Sequence, residues 1–333
     1  MTKVSVILPF YNSENTIQRA LNSIQQQTYP DFECILVDNN STDHSSHITK
    51  SCVKQDSRFR IIKEKRQGVV FASNAAELQA KGQYICRMDA DDWMFPDRLQ
   101  KQVQFLDKNA AYGAISGLVE YVSHQKKTEG FKRYVEWVNS VQSYQDILLQ
   151  RFVESPVVNP SAMWRRSISM RYGMYKDGDF PEDYELWLRW LAKGIKISKL
   201  GQPLIKWYDS DNRLTRTDSR YSENAFYNIK TKYLAQWLSD NNPHHPQVVI
   251  WGASRLSRKR AKILEKHDIE ISGYIDISTK RDLDRQVILF TDIKTDDKIF
   301  VLVYIAQIDA RDEIKSFLEN KGFREGENYI FVS

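Results

Sequence analysis

The 333-residue chain is poor in cysteine, with Cys34, Cys52 and Cys86 only. The count is odd, and Cys34 and Cys86 lie inside apolar runs. Buried, reduced thiols of a cytosolic protein are expected, rather than disulfides or a metal site. Histidine is also sparse: His44, His47, His244 and His245 sit in polar segments without metal-ligand spacing. No apolar run approaches the length of a membrane span. The opening "MTKVSVILPF" lacks a basic stretch followed by a cleavage site. The expected location is therefore the cytoplasm, with room for peripheral contact at the inner face of a membrane. The formal net charge of +5 is too mild for a dedicated nucleic-acid binder, but it suits an anionic substrate. Neither an internal repeat nor a low-complexity tract is evident.

What is present is strand and helix in alternation. "VSVILPF" reads as a buried strand closed by Pro9. "ENTIQRALNSIQQQ" follows as an amphipathic helix, with Ile17, Ala20, Leu21 and Ile24 at helical spacing. "FECILVD", a helix over roughly 43–55, "FRIIK", the helix "VVFASNAAELQAKG" with a stop at Gly82, and the strand "QYICRM" continue the pattern. Such alternation predicts an α/β fold, an open and mostly parallel sheet with helices on both faces. Farther on, "GAISGLVEYV" reads as a strand. "SYQDILLQRF", "DYELWLRWLAKG" and "SENAFYNIKTKYLAQWL" read as helices.

The polar, proline-bearing "SDNNPHHP" marks a boundary. The expected organisation is a large domain over 1–238 (a nucleotide-binding half 1–105 and an acceptor half 106–238), a linker over 239–246, and a smaller Rossmann-like α/β domain over 247–333. In that smaller domain "VVIWGASRLSRKRAKIL" has the outline of a dinucleotide-binding turn, but Ser254 and Ser257 stand where glycines would let the backbone approach a pyrophosphate. No NAD is expected. Asp276 at the next strand's end leaves weak nucleotide binding open. The basic helix carrying Arg255, Arg258, Lys259, Arg260 and Lys262 reads chiefly as a solvated face.

Ligands of open α/β sheets bind beyond the carboxyl ends of the strands. Three polar groups lie at such ends. Tyr11, Asn12 and Glu14 follow the first strand, and Asp38 and Asn39 end the second. "MDADDWMFPDRL" puts Asp89, Asp91 and Asp92 directly after the fourth. Carboxylates at alternate positions suit a magnesium or manganese ion shared with substrate phosphates. An acidic turn capping the following helix explains Asp97 but not three acids after a buried strand. In "PEDYELWLRW", Glu182 and Asp183 open a helix whose Leu186, Trp187 and Trp190 point inward. Acids there are either a solvated cap or a general base facing a cleft. Trp187, Trp190, Trp207 and Trp237 read as core.

Four segments, taken in order, resemble the family 2 inverting glycosyltransferases of GT-A fold, over residues 3 to about 216. They are "VSVILPFYNSENTIQRALNSIQQQTYPDFECILVDNNSTD", "GVVFASNAAELQAKGQYICRMDADDWMFPDRL", "NPSAMWRRS" and "PEDYELWLRWLAKG". The resemblance implies a metal-dependent transfer of a sugar from a nucleotide-diphosphate donor to a hydroxyl of a carbohydrate or glycolipid acceptor, in surface polysaccharide or glycolipid synthesis. It implies that Pro9, Tyr11 and Glu14 line the base site, and that Asp38 contacts base or ribose. Asp89 would face the ribose or sugar, Asp91 would hold a divalent metal (Mn or Mg), and Asp183 would deprotonate the acceptor.

The chain departs from the family at three points. The family often has a second acid where Asn39 stands, which puts a base contact by Asn39 in question. It often has an arginine where Ser73 stands, which leaves Arg66 as a cation for the diphosphate. "WYDSDNRLTR" also lacks the histidine sometimes found there. Two other readings compete. A nucleotidyltransferase would carry a Gly-rich loop after the first strand, where this chain has "LPFYNSENT". A non-catalytic nucleotide-sugar-binding or assembly module would keep the fold. Oligomerisation through the C-terminal domain is a further expectation, whereas nucleic acid is not an expected partner.

Overall fold

The computed structural model describes residues 2–123, 128–210, 213–279 and 283–333. Asp211 and Asn212, in the stretch quoted above for its missing histidine, lie outside the described residues. The chain divides into two compact units. One comprises residues 1–147 and 156–221, the other 148–155 and 222–333. The helix Glu223–Asn241 thus belongs with the second unit rather than ending the first.

The first unit is built on eight strands: β1 (Val4–Phe10), β2 (Phe32–Asp38), β3 (Phe59–Lys63), β4 (Tyr84–Arg87), β5 (Trp93–Met94), β6 (Tyr112–Val122), β7 (Met163–Arg165) and β8 (Lys196–Tyr208). Their order is β3-β2-β1-β4-β7-β6-β8-β5. The first four are parallel, as the alternating sequence predicts. β7 runs antiparallel between β4 and β6. Every residue of β1 is buried, as a β-branched strand in a covered parallel sheet requires. The helix Ile17–Gln25 buries Ile17, Ala20, Leu21 and Ile24 completely, its whole apolar stripe. They join Val4, Val6, Leu8 and Leu36 in one core.

Two details differ from the sequence reading. The helix Val69–Leu78 ends before Gly82. Gly82 is required instead by close packing, because a Cβ there would lie 2.5 Å from the Ser5 backbone nitrogen. The thirteen-residue β8 was hidden in the sequence. "KISKLGQPLIKWY" interrupts its apolar residues with Gly201 and Pro203, which read as strand breakers. The register against β6 shifts near those residues.

The second unit has five parallel strands: β9 (Gln247–Trp251), β10 (Glu270–Asp276), β11 (Val287–Leu289), β12 (Val301–Val303) and β13 (Tyr329–Phe331), in the order β11-β10-β9-β12-β13. A buried ammonium anchors the unit's discontinuous piece. Lys230 donates to the carbonyls of Val153 (3.0 Å) and Val332 (2.7 Å) and lies over the Tyr227 ring.

Candidate active site

The parallel register of β1, β2 and β4 assembles the site. Phe10 is level with Asp38, and Ile7 with Arg87. Pro9 and Phe10 therefore lie between the end of β2 and the chain leaving β4, so Asp38 and Asp89 emerge on either side of β1. Tyr11 is half exposed just past this edge, where a planar ring is free to stack. Glu14 and Asp38 are engaged within the loops. Glu14 Oε2 accepts the His44 N–H at 2.9 Å, and Asp38 accepts the Ser41 N–H at 2.9 Å and the Ser46 hydroxyl. Asn39 is buried and spends its amide on one segment. Its nitrogen donates to the carbonyls of Glu64 (2.9 Å) and Arg66 (2.7 Å), and its oxygen accepts from Gly68 N–H (2.8 Å). An amide can do this and a carboxylate cannot, because the carboxylate has no N–H to give.

The acidic group after β4 is tightly gathered. Carboxylate oxygens of Asp89, Asp91 and Asp92 lie within 4.8 Å of one another. Asp92 is fully buried. One of its oxygens accepts the Tyr208 N–H at 2.9 Å, and the other has no hydrogen-bond partner among the described residues. Burial and the Asp91 charge push the Asp92 carboxyl well above the usual range, against the pull of Arg213. Burial also raises Asp91, with Arg213 and Arg19 opposing. An orphaned buried carboxylate oxygen among three acids fits a hard divalent cation.

Arg19, Arg87 and Arg213 bring positive charge to these acids. The Arg19 guanidinium donates to the Asp91 carbonyl and lies 3.6 Å from the Tyr208 ring centre. Arg213 donates to the Tyr208 carbonyl at 2.6 Å. Arg66 is 69% exposed and paired with Glu64. Arg87, like Arg19 and Arg213, was missed by sequence reasoning. Its Nε donates to Asp89 Oδ1 at 2.8 Å and its Nη1 to the Ser73 hydroxyl. Burial works against the Arg87 cation, but Asp89, Tyr175 and Glu182 outweigh it and hold it charged. An arginine inside the apolar "YICRM" was the available signal, since a buried guanidinium needs partners.

The helix Glu182–Ala192 delivers the remaining acids. Its Leu186, Trp187, Leu188, Trp190 and Leu191 are buried, which fixes its first turn. Glu182 accepts the Tyr221 hydroxyl at 2.6 Å. Asp183 accepts its neighbour's N–H, from Tyr184 at 2.7 Å, and stays partly exposed. Burial, then the Glu182 and Asp89 charges, push the Asp183 carboxyl up to about 8, with Arg87 opposing. Asp89, Arg87 and Asp183 therefore share one electrostatic environment, although they come from distant parts of the sequence. Tyr175 completes it. Its hydroxyl donates to Asn159 at 2.8 Å, and its backbone is clamped by Asn74.

The sequence pattern described as glycosyl transferase family 2 matches residues 5–173. The chain belongs to this family. It is 28% identical over 279 residues to an uncharacterized glycosyltransferase of Rickettsia felis, covering 82% of this chain and 43% of that protein. It is 27% identical over 274 residues to the bifunctional glycosyltransferase pgtA of Dictyostelium discoideum, covering 69% of this chain and 36% of that one. The chain thus spans about two-fifths of the length of these curated relatives. S. aureus TarS 1–349, solved with UDP-GlcNAc, superimposes with a TM-score of 0.53 at 18% identity, covering 80% of this chain and 71% of TarS. The mannosyltransferase PcManGT of Pyrobaculum calidifontis, solved with GDP-Man and Mn2+, gives 0.51 at 19%, covering 80% and 69%. The family 2 member shares the fold of these two proteins. Among the described residues, no helix is long and apolar enough to cross a membrane.

Proposed function

We propose that this family 2 protein is an inverting, metal-dependent hexosyltransferase that moves a sugar from a nucleotide-diphosphate donor to a hydroxyl of a carbohydrate or glycolipid acceptor. The observation that carries the proposal is the gathering of Asp89, Asp91 and Asp92 after β4, their carboxylate oxygens within 4.8 Å of one another and Asp89 held by the buried Arg87, with Asp183 within reach of the charges of Asp89 and Arg87. A donor-side acid and a raised-pKa acid in one site supply orientation and general-base catalysis together.

Asp91, with Asp92 and Asp89 beside it, would hold the divalent cation. When bound, that ion neutralises charge on a nucleotide diphosphate as it leaves. The chain's own residues do the rest. Asp89, held by Arg87, is aimed at the ribose or sugar, and Tyr11 and Pro9 line the base. Asp38 sets the loop that follows β2, and Arg19 and Arg213 add positive charge beside the acids. Asp183 accepts the proton of the acceptor hydroxyl while that oxygen bonds to the anomeric carbon. The carbon–oxygen bond to the diphosphate breaks on the opposite face, its electron pair leaving with the diphosphate, so the anomeric configuration inverts. A sugar donor with a nucleotide also agrees with the UDP-GlcNAc and GDP-Man complexes of the two structural neighbours. Synthesis of a surface polysaccharide or glycolipid is the setting this reaction suits.

The test is a thermal-shift screen of nucleoside diphosphates with and without manganese, followed by transfer assays with the nucleotide selected. Stabilisation by one nucleotide only with metal supports the reading. A chain indifferent to every nucleotide, with or without metal, overturns it.

A further inference from the structure

In the second unit, the polar groups that a parallel sheet would offer a nucleotide are engaged with one another. Trp251, Ile275 and Val303 are level across β10, β9 and β12, so the chain leaves the sheet at three adjacent points. These exits are laced together. The Ala253 N–H donates to Asp276 Oδ2 at 2.9 Å, and Asp276 Oδ1 accepts the Ile277 N–H at 2.7 Å. Ser254 accepts the Ser257 N–H at 3.1 Å, and the Ser257 hydroxyl donates to the Tyr304 carbonyl at 2.9 Å. A Cβ on Gly252 would sit 3.0 Å from Ser257 Oγ and 3.1 Å from Ile305, so protein atoms crowd the place a pyrophosphate would need.

An exposed apolar side chain follows each of these exits. Leu256, Ile277 and Ile308 follow the three exits and are 49%, 78% and 38% exposed. Apolar groups gathered at one edge mark an interaction surface, whereas scattered ones do not. Two helices of opposite sign flank them. Arg255–Ala261 presents exposed Arg255 and Lys259, and Ile308–Asn320 begins with exposed Asp309, Asp312 and Glu313. An anionic lipid surface would be attracted to the first helix and repelled by the second. A two-fold axis resolves the conflict, because it sets each basic helix against the acidic helix of the other copy.

We infer that the carboxyl edge of the second sheet is a homotypic interface. It joins two copies of this chain through Leu256, Ile277 and Ile308, with Arg255 and Lys259 facing the acidic helix start of the second copy. Sedimentation velocity of the full chain tests it. A concentration-dependent dimer is expected, weakened by salt and lost in Ile277→Asp. Arg255→Glu with Lys259→Glu, and separately Asp309→Lys with Asp312→Lys, should each give monomers with an unchanged circular dichroism spectrum. Mixing those two charge-reversed proteins should restore a dimer, since only the mixed pair brings opposite charges together. A wild-type chain that stays monomeric at high micromolar concentration overturns the inference. So does a mixture that fails to associate. A monomer that floats with phosphatidylglycerol vesicles through the same residues would assign the edge to lipid instead.

Discussion

Arg87 Nε donates to Asp89 Oδ1 at 2.8 Å, two residues apart on the chain as it leaves β4, and its Nη1 reaches the Ser73 hydroxyl. The pair fixes the direction of the Asp89 carboxylate and places a buried positive charge within electrostatic reach of Asp183. Arg87→Met should therefore raise the donor KM and lower kcat/KM by about 100-fold, the loss of one charge-assisted buried contact. Arg87→Lys keeps the charge but not the fork and should fall between the two. Steady-state kinetics over donor concentration distinguishes them. Equal rates for all three proteins would remove Arg87 from the site.

Asp183→Asn should reduce kcat by about a thousandfold, the range of a lost general base. It should leave nucleotide binding and the melting temperature without nucleotide at or above the wild-type values, since the amide replaces an acid whose charged form burial and the Glu182 and Asp89 charges already oppose. A variant that still transfers sugar at the wild-type rate would refute the base assignment.

The pH dependence follows from the same group. The Asp183 carboxyl is pushed up to about 8 in the folded chain, against an ordinary 3.8. Between those values the folded chain keeps a proton that the unfolded chain has lost. This contribution is therefore fully stabilising below the ordinary value, and stability declines as pH rises toward 8. Catalysis runs the other way. The base must be ionised, so kcat/KM should climb with pH and level off above about 8. Urea titrations at pH 5 and 8, wild type against Asp183→Asn, should show the stability slope reduced in the variant. A pH–rate profile checks the second sign.

Much of this site was legible because strand ends carry ligands and the strands were plain. β1, β2 and β4 are short, apolar and β-branched, so the alternation of strand and helix was enough to put Asp38 and Asp89 at their ends. Arg87 was not legible. In a linear sequence it is one cation in an apolar strand, and only the sheet brings Ser73 and the helix carrying Asp183 to its sides. Arg213 escaped for the same reason, since it acts through the end of β8, a strand disguised by Gly201 and Pro203. Asn39 shows the converse. It sits at the expected strand end, yet its amide is spent on the loop from Glu64 to Gly68.

Asp92 offers a metal test independent of turnover. Its carboxylate is buried, beside two other acids, with one oxygen lacking a partner among the described residues. Without metal it is a liability, because burial and like charge both oppose ionisation. Asp92→Asn should melt higher than wild type in chelator, by about 1–2 kcal/mol of stability, while the rise in melting temperature caused by manganese shrinks or disappears. A variant that responds to manganese as wild type does would leave Asp92 a purely structural acceptor for Tyr208.

Gly82→Ala probes the frame on which the site is built. Gly82 N–H donates to Ser5 Oγ at 2.8 Å, and a new Cβ would lie 2.5 Å from the Ser5 nitrogen and 2.7 Å from the Val4 carbonyl carbon. Those are backbone atoms of the central strand and cannot swing aside as a side-chain tip would. Either β4 shifts away from β1 or the turn before it opens, and both disturb the register that sets Asp89 beside Pro9. A loss of about 2–3 kcal/mol is expected from overpacking of this kind. It should be read as a lower urea midpoint, with a raised donor KM in the protein that remains folded. An alanine variant with an unchanged midpoint would mean that the approach of the two strands is looser than this geometry requires.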